Sequence, residues 1–404
     1  MKIIFKQQFF LIILLFVLLF INCPVLKHPK DEVNIIKKIT PIDIRTPNFL
    51  WLIQPWKDGK LATIDGWGRF AEISFIGANR IKIKHLTNFP RTALDRNLIT
   101  WPQADLMAST SGKMHHLAAI GINKTKSHVP LLSWVHWGIN PVLLDSVEGL
   151  IGYSYILDRN DNDINTRFFI YNYREDTMVY ESLENEFTIV PIIAINDHIV
   201  LSWERRLNGN RVEDKNILYD WRKNEIIEND FTNELNTQRI DLMIGHLFNV
   251  NLEKKQIFGY SRLHDDRFKI TWNEGFSDIR VTPLSYLLPN TGMNFSNFIF
   301  SADGMWVSTF VTGYRGLNNE NLSKRAFFHL DNRYPNGISI PVITEDYEER
   351  QWDYSAFVEH PVHGLCFAQE WHKNGRQYLR LYKMNDVLTE INRRLLNTAE
   401  RIIP

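Results

Sequence analysis

An all-β repeat architecture is what this sequence predicts, and three observations predict it. Aromatic residues reach 13% of the chain, with 12 Trp, 14 Tyr and 25 Phe, an excess that favours strands because flat rings pack well on a pleated surface. A turn followed by alternating apolar residues recurs along the sequence at a period of roughly 50 residues. The chain has 404 residues and only two cysteines, so packing alone must hold it together, and a large all-β domain of this length can bury enough surface to do so.

Hydrophobic residues make up 44% and charged residues 23%, an ordinary globular balance. Lys+Arg and Asp+Glu are both 46, for a net charge of zero. A nucleic-acid binder carries a basic surplus, so nucleic acid is not expected as a partner.

The first element is an export signal. Lys2 and Lys6 precede an unbroken apolar run from Phe9 to Ile21. That run of about 13 residues is the core of a signal peptide and falls short of the ~20 needed to span a bilayer. Phe20-Ile21-Asn22-Cys23 follows and resembles the lipobox of bacterial lipoproteins, with Asn22 where Gly, Ala or Ser is usual. The resemblance implies lipidation of Cys23, membrane anchoring and a place in the bacterial envelope, on its periplasmic or surface side. An uncleaved short anchor and a secretory signal cut elsewhere are the alternatives. The other cysteine, Cys366, stands in the apolar run Gly364-Leu365-Cys366-Phe367-Ala368, which reads as a buried strand with the thiol as a small hydrophobe. The expected organisation is a signal peptide over 1–22, a lipidated cysteine and polar tether over 23–40, a repeat domain over 41–384, and a C-terminal helix over 385–404.

Each repeat has two parts. The first is a turn and an apolar strand, as in Lys57-Asp58-Gly59-Lys60-Leu61, Ser111-Gly112-Lys113-Met114, Val147-Glu148-Gly149-Leu150 and Asn196-Asp197-His198-Ile199. It returns in Glu253-Lys254-Lys255-Gln256, Ala302-Asp303-Gly304-Met305 and Pro361-Val362-His363-Gly364. The second is an aromatic-containing strand and a polar turn, clearest in Phe168–Asp176 and Ile217–Asn224. Four-stranded units of this kind bury both faces only by stacking radially, which predicts a β-propeller of seven blades. The loosely alternating stretch 33–44 is expected to supply the strand that closes the ring. Val387, Leu388, Ile391 and Leu395 fall at helical spacing behind Asn385-Asp386, which reads as the N-cap of a helix that packs on the ring.

Ser301-Ala302-Asp303-Gly304, with its strand Met305–Phe310, resembles the repeat of TolB-like and WD40-like propellers. Trp371–Tyr382 looks like the hairpin of such a repeat. The resemblance implies a fold and no chemistry. The hydrolase signature of propeller peptidases is missing, because Gly152-Tyr153-Ser154-Tyr155 and Gly259-Tyr260-Ser261-Arg262 lack the second Gly.

His115-His116 would point to opposite faces of a strand and so would not share a metal, and no metal or other cofactor is predicted. Asp158–Asp163 resembles the start of a calcium loop but has Asp163 where the loop needs Gly, and it reads as a solvated hairpin tip. Gly66-Trp67-Gly68 reads as a turn. The turns between second and third strands gather Arg, His and Trp: Trp67, Arg69, Arg205, Arg206, His264, Arg315, Trp371 and His372. Around one rim they would hold a protein or a glycan through stacking and hydrogen bonds. The function predicted is binding or assembly in the envelope. The alternative is an enzyme acting on glycans through paired carboxylates drawn from Asp65, Glu204 and Glu370, which would have to stand roughly 5–9.5 Å apart.

Overall fold

The computed structural model describes residues 39–47, 50–65, 69–86, 97–111, 114–119, 124–126, 141–160, 163–182, 187–208, 211–241, 250–251, 255–261, 266–273, 278–283, 294–315, 321–334, 337–349 and 355–400. Among these residues the chain forms seven antiparallel sheets, five of which pair their strands simply in chain order. Sheet one is Leu50–Pro55, Leu61–Asp65, Phe70–Phe75 and Ile81–His85. Sheet two is Asn97–Trp101, Leu106–Ser111, Met114–Ala119 and Lys124–Lys126. Sheet three is Val142–Asp145, Leu150–Asn160, Asp163–Asn172 and Thr177–Glu181, and sheet four is Phe187–Ala194, Ile199–Asn208, Arg211–Asp220 and Glu225–Ile227. In sheet five, Ile240–Asp241 and Val250–Asn251 both pair with Gln256–Ser261, which Asp266–Thr271 and Arg280–Pro283 extend. Sheet six is Asn294–Phe300, Trp306–Arg315, Asn321–His329 and Val342–Glu349. Sheet seven takes three strands from the end of the chain, Ser355–His360, Gly364–Lys373 and Arg376–Lys383, and its fourth, Ile42–Arg45, from the beginning.

Strand periodicity explains why these sheets stack. Successive side chains point to opposite faces, and here both faces are apolar. In sheet three, Ile151, Tyr153, Phe169 and Tyr171 pack against Leu106 and Ala108 of sheet two, while Phe168 and Ile170 pack against Val200, Ile217 and Tyr219 of sheet four. Leu201 and Leu218, one residue out of step, meet Phe268 and Ile270 of sheet five. In sheet seven, Phe357, Phe367 and Tyr382 face sheet six, and Ala356, Val358, Cys366, Ala368, Leu379 and Leu381 face sheet one. Sheet one in turn meets sheet two through Ala62, Ile64 and Phe70 against Leu98 and Met107. Each fully buried Leu or Phe contributes about 1.5–3 kcal/mol of transfer free energy to its seam. Sheet seven packs on sheet one and takes its outer strand from the start of the chain, which is how a propeller ring closes. The fold is an all-β propeller.

Two rims result. The turns joining second to third strands form the upper rim, and those joining first to second and third to fourth form the lower rim. Lower-rim turns use left-handed backbone: Asp58 and Gly59 have φ of 56° and 66°, as an Asp-Gly type I′ turn requires. A Cβ on Gly59 would sit 2.6 Å from the Glu359 carbonyl oxygen of sheet seven, so Gly is also needed for the approach of the two sheets.

One repeat reads differently in the structure. Ser111 ends the second strand of sheet two and Met114 opens the third, with Gly112 outside the described residues, whereas the first turn of this sheet is Pro102–Ala104, closed by Asp105 in the left-handed region at φ 52°. The turn that opens this repeat therefore lies one strand earlier than Gly112 suggests. The C-terminal helix also begins earlier than expected, over Met384–Glu400, so Asn385 and Asp386 lie in its first turn and do not cap it. Met384 is buried with Val387 and Ile391 against Trp306 and Phe327, which lets strand run directly into helix. A second helix, Asp230–Thr237, is capped by Asn229, whose side chain accepts from Thr232 N, and it buries Phe231 and Leu235 in the seam of sheets four and five.

Candidate functional site

The strongest grouping of polar side chains lies at the upper end of the seam between sheets seven and one. Cys366 and Ala368 enter that seam, so Glu370 and His372, two and four residues further on, point the same way. Gln377 stands opposite His372 in the register and shares the face. Glu370 Oε1 accepts from His372 Nε2 at 2.6 Å and from Gln377 Nε2 at 2.5 Å. Gln377 also clasps the backbone of sheet one, accepting from Leu50 N at 2.7 Å and donating to Leu50 O at 2.6 Å. Leu50 is paired with Asp65, whose side chain lies on the same face as Leu61 and so turns toward the same seam. Asp65 is fully buried and accepts from Arg69 N at 2.9 Å and Arg69 Nε at 2.7 Å, with His85 Nδ1 at 3.5 Å.

The two acids therefore sit on facing walls of one seam in different states of engagement. Asp65 is tied to a guanidinium. Burial raises the pKa of Glu370 above the usual carboxylate value, against the opposing pull of His372 and Gln377. His372 keeps 41% of its side chain exposed and links that carboxyl to solvent. Glu370 and His372 thus form a hydrogen-bonded pair at the rim, able to donate or accept a hydrogen bond from a polar ligand. Glu204 does not join them. Its side chain shares the face of Val200 and lies in the seam of sheets three and four, so the three carboxylates do not converge.

Trp371 and His372 are split by strand alternation. Trp371 faces sheet six and stacks on Arg380, whose guanidinium carbon is 3.6 Å from the ring centroid. Arg380, 3% exposed, forks onto Asp43 at 2.7 and 2.8 Å and reaches Asp346 of sheet six at 2.9 Å. This clasp binds the N-terminal strand to two sheets and gives Trp371 a structural partner. Arg69, half-buried, is engaged by Asp65. Arg205 and Arg206 lie within the second strand of sheet four, and Arg315 ends that of sheet six. These are strand ends and not the turns themselves. His115 and His116 fall in the third strand of sheet two, and Asn160 pairs with Asp163 across the tip of the hairpin in sheet three. Trp67, His264 and Cys23 lie outside the described residues, as does the signal segment. Among the described residues, no group of three or more His, Cys, Asp or Glu is placed to hold a metal ion.

Sequence reasoning missed Gln377, Arg380 and Asp43. The signal that finds two of them is parity: once Leu379 and Leu381 are assigned to one seam, Gln377 must share it and Arg380 must face the other.

No family model matches the chain, and no curated protein resembles it in sequence. Solved structures do resemble it in shape. An oligogalacturonate lyase from Vibrio parahaemolyticus is similar over 85% of this chain and 92% of its own, at 9% identity and a TM-score of 0.48. The β-propeller domain of the Trilobed protease from Pyrococcus furiosus is similar over 83% and 95%, at 9% identity and a TM-score of 0.43. Prolyl oligopeptidase B from Galerina marginata matches over 82% of this chain but only 50% of its own, at 9% identity and a TM-score of 0.43.

Proposed function

We propose that this protein is an exported lipoprotein, anchored through Cys23, whose propeller binds a polar partner, a glycan or a protein surface of the bacterial envelope, at its upper rim. The observation that carries the binding reading is the Glu370–His372 pair, a buried carboxyl reached from solvent through a half-exposed imidazole. Arg205, Arg206 and Arg315 lie toward the same rim at their strand ends and are proposed to add hydrogen-bond donors, with Trp67, Arg69 and His264 as further candidates there. TolB-like repeats are the proposed relatives within the propeller fold.

Photocrosslinking in cells tests this reading, with a benzophenone amino acid at position 372 and, separately, at Glu175 on the lower rim. An adduct formed from 372 and lost in Glu370→Ala supports binding at the upper rim. Adducts from 175 alone would contradict it. Mass spectrometry of the mature protein checks the anchor, which requires a diacylated Cys23 at the N-terminus.

Asp65 and Glu370 on facing walls of one seam favour a second reading, glycan cleavage with Glu370 as general acid. The engagement of Asp65 by Arg69 counts against a free nucleophile. Release of reducing ends from envelope glycan, abolished in Glu370→Gln, would support cleavage.

A further inference from the structure

Three first-to-second turns of the ring close in the same way, and sheet seven builds that closure from a different residue. In sheet three, Asp145 Oδ1 accepts from Val147 N at 2.7 Å and Glu148 N at 2.9 Å. In sheet four, Asn196 Oδ1 accepts from His198 N at 3.0 Å and Ile199 N at 2.7 Å. An Asp or Asn side chain that bonds the backbone just ahead of it is a common way to fix a turn. In sheet seven His360 takes this place, and its Nδ1 accepts from Val362 N at 3.1 Å and His363 N at 3.2 Å. A carboxylate or an amide oxygen keeps its lone pairs in mild acid. An imidazole nitrogen loses its lone pair when it takes a proton.

The surroundings of His360 fit the neutral ring alone. With Nδ1 accepting, the ring proton stands on Nε2, which is buried and has no hydrogen-bond partner among the described residues. The residue is 2% exposed. Its ring lies 4.5 Å from that of Phe75 in sheet one and is stacked on His363, also at 4.5 Å between centroids. A second proton would enter at Nδ1 and face two N–H groups, and a charged His363 would repel it. Neighbouring charges bring no relief. Lys57 is paired with Asp105, Lys60 with Glu72 and Lys383 with Asp386. Asp58, Arg80, Lys82 and Glu359 are exposed, and Glu359 faces sheet six by strand alternation. Burial, and then His363, hold the pKa of His360 below the ordinary histidine value.

The same turn joins the last sheet to the first. His363 Nε2 donates to the carbonyl oxygen of Ala78 at 3.0 Å, in the third-to-fourth turn of sheet one. His360 thus holds the turn that presents His363 across the ring-closing seam.

We infer that this turn is an acid-released joint: neutral His360 closes residues 361–363 and docks His363 on sheet one, and protonated His360 lets both go. The apolar seam above it, with Val358, Cys366 and Leu379, stays shut. The joint lies at the lower end of the seam whose upper end carries Glu370 and His372, and it depends neither on the proposed anchor nor on what the upper rim binds. Linkage sets the sign. Below about 6.5 the open turn takes up a proton that the closed turn refuses. Closure is therefore complete above that value and is lost as pH falls through the lowered one.

Hydrogen exchange of the full-length protein at pH 7.5 and pH 5.0 tests the joint, with rates corrected for the intrinsic effect of pH. Protection at 361–364 is expected to fall several-fold at pH 5.0, with a smaller fall at 76–80. The turns at 146–149 and 197–199, closed by Asp145 and Asn196, are expected to hold theirs. His360→Asn copies the acceptor of sheet four and is expected to abolish the loss. Equal loss at all three turns, or none at 361–364, overturns the joint, and this comparison within the wild-type chain needs no variant to fold. A loss that persists unchanged in His360→Asn overturns it as well. A loss at 361–364 that leaves 76–80 unchanged overturns the docking on sheet one.

Discussion

Glu370 shows how burial and hydrogen bonding compete at one side chain. Desolvation raises its pKa, and donation from His372 and Gln377 offsets only part of that shift. The folded state therefore keeps a proton at pH values where the unfolded chain, at the ordinary glutamate value of about 4.3, has lost it. Linkage then requires this group's contribution to be fully present below that value and lost as pH rises through the raised one. Glu370→Gln removes the penalised charge and keeps an oxygen to accept from His372. Its Tm relative to wild type is expected to be more favourable at pH 7.5 than at pH 4. Thermal melts at the two pH values decide it, and a variant that loses more at pH 7.5 would mean that attraction to His372 outweighs desolvation. The sequence offered Glu370 as a candidate acid and Trp371 and His372 as rim residues, but it did not pair Glu370 with His372. Gln-Glu-Trp-His reads as a polar strand end, and only the apolar alternation of Cys366 and Ala368 assigns Glu370 and His372 to one face and Trp371 to the other.

The closing strand, Ile42–Arg45, is short, and specific contacts hold it. Ile44 is buried in the seam with sheet one, and Asp43 takes a two-pronged contact from buried Arg380. Asp43→Ala leaves Arg380 with Asp346 and the Trp371 ring as its remaining partners. Charge-assisted bonds of this kind are worth about 1.5–3 kcal/mol, and a destabilisation of that size is expected. Amide exchange should speed up first at residues 42–45, ahead of the strands in sheet three. Uniform acceleration across the ring, or none, would show that Asp43 does not hold the strand. The repeat rhythm was readable because strands such as Leu61–Asp65 are buried on both faces, which writes apolar residues at successive positions. The closing strand was readable as a loose alternation of Ile42 and Ile44, although residues 33–38 of that stretch lie outside the described residues. Turn chemistry was less legible. Asp105 takes a left-handed conformation without glycine, so the first turn of sheet two carried no conspicuous letter, while Gly112 one strand later did.

A closed ring changes how the whole molecule can open. In an open stack the terminal repeats each have one neighbour and fray first, but here sheet seven packs on both six and one. Parting the ring at that seam exposes Leu50, Leu61, Ile73 and Leu379 at once and breaks pairings between residues more than 300 positions apart, such as Gln377 with Leu50. Loop closure over such a span brings little local contact in return, so the seam should form late in folding and open only with the rest. Cys366 reports on it directly. It is fully buried in this seam, and burial pushes its pKa to about 12, so the native thiol is both inaccessible and protonated at pH 8. Its modification by an aromatic disulfide across a urea series is expected to follow the global transition seen by fluorescence of the 12 tryptophans. Labelling at urea concentrations below that transition would mean that sheets seven and one part on their own and that the ring is a latch. The same experiment counts thiols after full unfolding. Two cysteines are encoded, so one reactive thiol agrees with a thioether at Cys23, and two reactive thiols would rule the lipid anchor out.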